Sequence, residues 1–422
     1  MWRHTRSGWW PEFGGVSARA ETQNAAPRGA LSGVRVCDFS WVGAGPRATK
    51  ELADHGAEVI KIESRKRLDP SRLTPPFVNG KGPDHSAFFV MSNTSKKSVC
   101  INLSDPRGQK IAKDIALTSH MVVENFGTGF MERIGMGWDT LHAEKPDLAM
   151  VSVSIAGRTG PLAGFRGYGN SAAATSGQAL VTGFPDGEPH LTNYAYGDVA
   201  TPLFAAIAMM GALDYQRRTG RGIHVDVCQL ESMMQLLSPA FLAQAAGETP
   251  QRLGNRETWC APNGAFPTAQ PGRWVAITIA DDKDWVAFCD VSGMDVTRLA
   301  TTAERLANVE AAEAAVIAWT STREPAEIID RLQSAGIAVA LVQNGQEVSE
   351  DPQLLHRHIA DPIVHPKMGA VRHVAPAFKL SRTPAKVGVA PLIGQDAGSI
   401  LGDLLGMSKV EVDALADEGV LV

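Results

Sequence analysis

At 422 residues the chain exceeds what one hydrophobic core usually supports, so two domains are expected. Its 44% hydrophobic and 20% charged residues are ordinary for a globular protein, and a net charge of −5 gives no electrostatic reason to expect nucleic acid or an anionic membrane surface as partner. The five cysteines (Cys37, Cys100, Cys228, Cys260, Cys289) are widely spaced and lack a C-x-x-C pair, which argues against a zinc site or disulfide frame and for buried, reduced thiols in a cytoplasmic protein.

Residues 1–28 carry Arg3, Arg6, Arg19 and three Trp but no apolar core region, so they read as an irregular extension and not as a secretory signal. No stretch is expected to reach the ~18 apolar residues of a membrane span. Leu31 to Phe39 has the β-branched alternation of a first strand, Pro46 to His55 follows as a helix, and Gly56 to Glu63 is a second strand. This β-α-β unit implies a parallel sheet, with the loop Ser40-Trp-Val-Gly-Ala-Gly-Pro46 at the carboxyl end of strand one, where open α/β sheets place ligands. That loop is not G-x-G-x-x-G, and Pro46 removes a donor from the first helical turn, so a nicotinamide dinucleotide is not expected.

The alternation continues: strand Ser98 to Leu103, helix Pro106 to Thr118, strand Met121 to Glu124, short helix Phe130 to Ile134 and strand Leu148 to Ile155. Glycine-rich turns lead through Tyr168 and Gly183 to Gly197-Asp198. There an acidic residue opens a small-residue, apolar run free of Gly and Pro from Leu203 to Met210, which reads as a buried helix. Asp198 is expected at that helix's N-terminus, where it can cap backbone N–H groups or serve as an ionised catalytic carboxylate. Gly197, without a Cβ, lets a substrate approach the backbone.

Ile223 to Cys228 is a strand, and Glu231 to Ala246 reads as one helix. Asn255 to Pro271 is turn-rich and marks a crossing between domains. A second alternation runs from strand Trp274 to Ile279 through helices Asp284 to Val291, Ala303 to Thr320 and Pro325 to Ala335 to strand Ile337 to Val342. A short helix, Asp351 to Ala360, precedes an extended, proline-punctuated return over Pro362 to Pro384, and two helices close the chain.

Several separated motifs then resemble the family III CoA-transferases, the CaiB/BaiF group that includes formyl-CoA:oxalate and carnitine CoA-transferases. They are Val36-Cys-Asp-Phe-Ser-Trp-Val-Gly-Ala-Gly-Pro46, Gly56-Ala-Glu-Val-Ile-Lys-Ile-Glu63, Asn93-Thr-Ser-Lys-Lys-Ser98, Glu124-Asn-Phe-Gly-Thr-Gly129 with Arg133, Gly183-Phe-Pro-Asp-Gly187, Gly197-Asp198 and Arg218-Thr-Gly-Arg-Gly222 with Val225-Asp226. The resemblance covers residues 31 to 422 and follows the family's order. It implies an α/β fold: a Rossmann-like large domain with a parallel sheet, a smaller α/β domain, and an interlocked dimer. The expected organisation is an extension (1–28), a large CoA-binding domain (29–225), a linker helix (226–258), a small domain (259–361), a return linker (362–390) and C-terminal helices on the large domain (391–422).

The resemblance makes Asp198, with Gly197, the catalytic site, and implies CoA contacts from Val42, Gly43, Ala44, Arg65, Lys96, Lys97, Asn125, Phe126 and Arg133. Phosphates need cations, and Arg65, Lys66, Arg67, Lys96 and Lys97 cluster at strand ends; for Lys66 and Arg67 a solvated basic face is an equal alternative. CoA or acyl-CoA enters as substrate, with no metal and no nucleotide cofactor, because exchange between two acids retains the thioester. An aspartate is ionised at pH 7 without a partner base. Oxyanion donors are sought in Leu253-Gly-Asn-Arg256 or Asn263-Gly264. Gly43 where the formyl-CoA pattern has Gln, Ser64 where it has Arg, and Ser154-Ile-Ala156 where it has Lys-Gly-Tyr point away from oxalate. They favour a larger or more apolar acid, such as an aromatic or branched dicarboxylate, and the resemblance implies succinyl-CoA as donor. Two alternatives stay open: an α-methylacyl-CoA racemase of the same fold, although Gly167-Tyr168-Gly-Asn lacks its second proton carrier, and one subunit of a heterodimer with a paralogous chain instead of a homodimer.

Overall fold

The computed structural model describes residues 29–295 and 297–422. The extension expected over residues 1–28 lies outside the described residues. Six parallel strands form the main sheet: β1 (Arg35–Asp38), β2 (Glu58–Glu63), β3 (Lys97–Cys100), β4 (Met121–Glu124), β5 (Ala149–Ser154) and β6 (His224–Cys228). Their order is β3-β2-β1-β4-β5-β6.

The strands are apolar on both faces because both faces are covered. Val36, Val59, Val123 and Val151 meet helices Ala44–Asp54 and Gly197–Thr219 through Ala48, Leu52, Ala205 and Met209. On the other face Cys37, Ile60, Val122 and Met150 meet Ile111 and Ile115 of helix Pro106–Thr118, together with Ile400, Leu401 and Leu421 from the C-terminus. Period two along each strand therefore feeds two separate cores. The strand order reverses between β1 and β4, so a crevice opens outside their carboxyl ends. The segments that leave those ends, Ser40–Gly43 and Asn125–Gly129, form the walls of the site.

A smaller antiparallel sheet joins β7 (Asn263–Pro267), β8 (Trp274–Thr278) and β9 (Ala338–Leu341). Trp285, Phe288, Trp319 and Ile328 pack on it as a third core. β10 (Pro362–His365) and β11 (Gly369–Arg372) form a hairpin.

Several expectations are corrected. β7 lies inside the stretch read as a turn-rich crossing, because pairing with β8 supplies the order that its own Gly and Pro do not. The return segment is folded back as β10 and β11. Pro362 is tolerated as the first residue of a strand, and Gly369 turns the chain at φ +74°. Glu231 to Ala246 is two helices, Gln229–Leu236 and Ser238–Ala245, because Pro239 cannot continue the first and instead opens the second. The helix Gly197–Thr219 is long and apolar enough by length and composition to cross a membrane, contrary to the expectation that no stretch is. Here Ala205, Met209, Ala212 and Leu213 bury one side of it against the sheet. All five cysteines are free and buried, as expected.

Candidate active site

Asp198 lies in the first turn of helix Gly197–Thr219, one residue inside its start, and does not cap it: Tyr196 is the N-cap residue and makes no side-chain cap bond. Its carboxylate is held from elsewhere. Oδ2 accepts the main-chain N–H of Gly169 at 3.3 Å, and Oδ1 accepts Nε2 of Gln229 at 3.2 Å. Glycines let these segments close in. A Cβ on Gly43 would stand 2.9 Å from Asp198 Cγ, and one on Gly169 would stand 2.6 Å from Asp198 N. Arg47 reaches the Asp198 main-chain oxygen at 3.4 Å. Burial raises the Asp198 carboxyl above the ordinary aspartate range, against the opposing pull of the Gly169 and Gln229 bonds and of Arg47.

A buried ionic network fixes the loop beside it. Lys96 Nζ lies 2.9 Å from each of Asp38 Oδ2, the Pro46 carbonyl and Asn93 Oδ1. Lys61 bonds the Ser40 carbonyl at 2.6 Å and Asp69 at 3.0 Å, and Asp69 accepts the N–H of Val42 at 3.1 Å. Val42 is thereby held at φ +63°, a left-handed conformation unfavourable for a β-branched residue. Asn125, at the end of β4, bonds both N–H and C=O of Trp41 at 2.7 and 2.8 Å, which ties the two crevice walls together.

Two connected spaces result. A cleft of about 310 Å³ is lined by Val42, Gly43, Ile155, Tyr168, Asp198 and Gln229, among others. A cavity of about 760 Å³ shares Trp41, Arg67, Phe126 and Arg166 with it and adds Lys66, Phe130 and Arg133. Trp41 and Phe126 meet edge to face at 5.4 Å, and Arg67 lies 5.6 Å over the Trp41 ring. The arrangement offers a desolvated carboxylate at one end and, at the other, a basic, aromatic chamber of nucleotide size.

Of the residues singled out in the sequence, Val42, Gly43, Ala44, Asn125 and Phe126 line the cleft, Arg133 lines the cavity, and Gly197 is buried behind Asp198. Three expected cations are not brought there. Lys96 is buried beneath the loop, Lys97 pairs with Glu58 at 2.7 Å from the amino end of β3, and Arg65 turns to the Ile393 carbonyl at 2.9 Å. Lys66, Arg67 and Arg166 line the cavity instead. Leu253–Arg256 binds another loop, with Gly254 N–H on Gly183 C=O at 2.8 Å, and Asn263 belongs to β7; neither segment lines the cleft. Sequence reasoning missed Gln229, Gly169 and Arg166. Gln229 directly follows β6, and the carboxyl end of a parallel strand is the signal that could have found it. Among the described residues no group of three or more His, Cys, Asp or Glu is placed to hold a metal.

The chain has relatives among known proteins. The profile of the family described as CoA-transferase family III matches residues 31–397. The chain is 30% identical over 398 residues to a Mus musculus protein named succinyl-CoA:glutarate CoA-transferase, covering 93% of this chain and 90% of that one. It is 30% identical over 399 residues to the succinyl-CoA–D-citramalate CoA-transferase of Chloroflexus aurantiacus, with 93% and 98% covered. It is 29% identical over 418 residues to a formyl-CoA:oxalate CoA-transferase of Rhodopseudomonas palustris, with 93% and 97% covered. The fold is similar to that of a CaiB/BaiF family protein from Brucella suis, with a TM-score of 0.82 and 27% identity, over 89% of this chain and 100% of that one.

Proposed function

The chain belongs to CoA-transferase family III, and on that premise we propose that it moves CoA from an acyl-CoA donor to a carboxylic acid through covalent intermediates on Asp198. The observation that carries the reading is the continuity of the Asp198 cleft with the basic, aromatic chamber. A CoA whose nucleotide occupies the chamber would present its thioester to the carboxylate.

The electron bookkeeping closes without a cofactor. An Asp198 oxygen attacks the donor acyl carbon, the C–S bond breaks, and CoA leaves as thiolate, giving an aspartyl mixed anhydride. The thiolate then attacks Asp198 Cγ, releasing the donor acid as carboxylate and leaving an aspartyl-CoA thioester. The acceptor carboxylate attacks that thioester carbonyl and expels the thiolate. Finally the thiolate takes the acceptor acyl group and returns Asp198 to its carboxylate.

Val42, Leu68, Ile155 and Phe165 make much of the cleft wall apolar, which supports a larger aromatic or branched dicarboxylate over oxalate as acceptor. The succinyl-CoA relatives support succinyl-CoA as donor. No histidine lines the cleft among the described residues, and Tyr168 stands there instead, which favours acyl transfer over racemisation. Incubation with succinyl-CoA should leave a CoA adduct on the Asp198 peptide by mass spectrometry, discharged by an acceptor from a panel of dicarboxylic acids. Deuterium wash-in at the α-carbon of a branched acyl-CoA, with no adduct and no acceptor dependence, would replace this reading with the racemase.

Arg67, Arg133 and Arg166 would hold the CoA phosphates. Replacing Arg133 by Ala should raise KM for acyl-CoA about 10-fold, the scale of one charge-assisted hydrogen bond, with kcat nearly unchanged in initial-rate assays. The exposed Leu203 and Ile207 of helix Gly197–Thr219, beside an apolar groove with Val199 and Leu236, support a homodimer in which a second copy covers this face. Light scattering should give twice the chain mass, and Ile207→Glu should reduce it to one.

A further inference from the structure

Two donors hold the Asp198 carboxylate, and neither comes from the loops in which the sequence suggested oxyanion donors. Each carboxylate oxygen has one partner: Gly169 N–H on Oδ2 and Gln229 Nε2 on Oδ1. Gln229 is 5% exposed, and its Oε1 is buried without a hydrogen-bond partner among the described residues. A buried amide that leaves its oxygen unsatisfied costs stability, which an apolar side chain of similar size would avoid. What the glutamine supplies is the N–H on Asp198. Neither Leu253–Arg256 nor Asn263–Gly264 lines the cleft to do so instead.

We propose that Gln229 Nε2 is the oxyanion donor for the carbonyl of Asp198 itself, with the Gly169 N–H orienting the attacking oxygen. The inference rests on Asp198 being the nucleophile. When Oδ2, oriented by the Gly169 N–H, has attacked the donor acyl carbon, Oδ1 remains as the aspartyl carbonyl and keeps Gln229 Nε2. Thiolate attack on Cγ forms the C–S bond and pushes the π electron pair onto that oxygen; its return breaks the Cγ–O bond to the donor acid. Acceptor attack on the aspartyl thioester charges the same oxygen again. Because Oδ1 keeps the Gln229 donor from the resting state onward, no reorganisation is needed at the moment of reaction. In the resting enzyme the same two bonds oppose the upward push of burial on the carboxyl.

Gln229→Leu tests this, with Gln229→Met as a second variant of unbranched shape. Expected are a kcat lower by about 10²-fold, the scale for losing one oxyanion donor, and KM values within threefold. The acid limb of the pH–rate profile should move to higher pH, since a donor to the ionised form is gone. The melting temperature should change little, since removing the unsatisfied Oε1 offsets the lost bond to Asp198. Adduct formation on the Asp198 peptide should slow in parallel with kcat. A kcat within threefold of the parent in both variants would overturn the proposal, as would a lower kcat with an unmoved acid limb, which marks a merely structural effect. If the parent enzyme itself forms no Asp198 adduct, the nucleophile reading fails first; adducts formed at equal rates by parent and variants defeat this inference alone.

Discussion

Replacing Asp198 by Asn is expected to lower transferase kcat by about 10⁵-fold, the scale seen when a covalent nucleophile is removed from an enzyme whose binding groups remain. The Asn amide cannot attack an acyl-CoA, yet CoA binding should persist, because Arg67, Arg133 and the Trp41–Phe126 pair lie in the adjoining chamber. A Kd for CoA within a few-fold of the parent, measured by calorimetry, separates this from misfolding. The fold should not suffer at neutral pH. Burial raises the Asp198 carboxyl pKa, so the folded state prefers it protonated. A raised carboxyl costs stability as pH climbs from the unfolded value, ~3.9, through the folded one, and the full cost is present above both. A neutral side chain avoids that cost, although its NH₂ meets one of the two donors. Asp198→Ala avoids both but leaves the Gln229 amide and the Gly169 N–H without a partner, so the pH trend is the prediction: its melting temperature relative to the parent's should be higher at pH 7 than at pH 4. The same sign gives the parent's activity profile: only the carboxylate attacks, so rates fall as pH drops through a value above the ordinary aspartate range. Activity of Asp198→Asn within tenfold of the parent would remove Asp198 from the mechanism.

The scaffold of the site was legible because it is local. The β-α-β alternation, the glycines and proline of the Val42–Pro46 loop and the glycine–aspartate pair at a helix start are short-range signals, and the structure places them at the strand-order reversal between β1 and β4. The cation set was not legible, for a reason that period two makes plain. Adjacent residues entering a strand point to opposite sides, so Lys96 and Lys97 cannot serve one ligand. One is spent on Asp38 beneath the loop and the other on Glu58. Arg65 and Arg67 part for a different reason, the bend that follows β2, which sends one towards Ile393 and one over Trp41. Gln229 and Gly169 lie 31 and 29 residues from Asp198, and only the sheet order and the packing of short helices bring them to its carboxylate. The cap assignment failed because a carboxylate in the first turn found better donors on neighbouring segments than on its own helix.

Gly169→Ala should cost about 10²- to 10³-fold in kcat, a larger effect than its single methyl suggests. The added Cβ would stand 2.6 Å from Asp198 N, 2.9 Å from Asp198 Cγ and 3.0 Å from Ala195 Cβ. The nearest of these is backbone at the start of a 23-residue helix packed on the sheet, so it cannot swing aside as a side-chain tip would. Gly169 does not occupy a left-handed conformation, so alanine is admissible there and the loss reports distance, not backbone strain. Either the Gly169 segment or the helix start must retreat by several tenths of an ångström. The N–H bond to Oδ2 is already 3.3 Å long and would be the first to go. Overpacking of this kind costs about 1–3 kcal/mol, so the melting temperature should fall by a few degrees while the protein still folds. KM for acyl-CoA should stay within threefold, because the basic chamber is set by other segments. Gly398→Ala supplies the control: nothing lies within 4 Å of the Cβ it adds, so kcat and KM should not change. If Gly169→Ala keeps kcat within threefold of the parent, the close approach of this segment to Asp198 has no part in the chemistry.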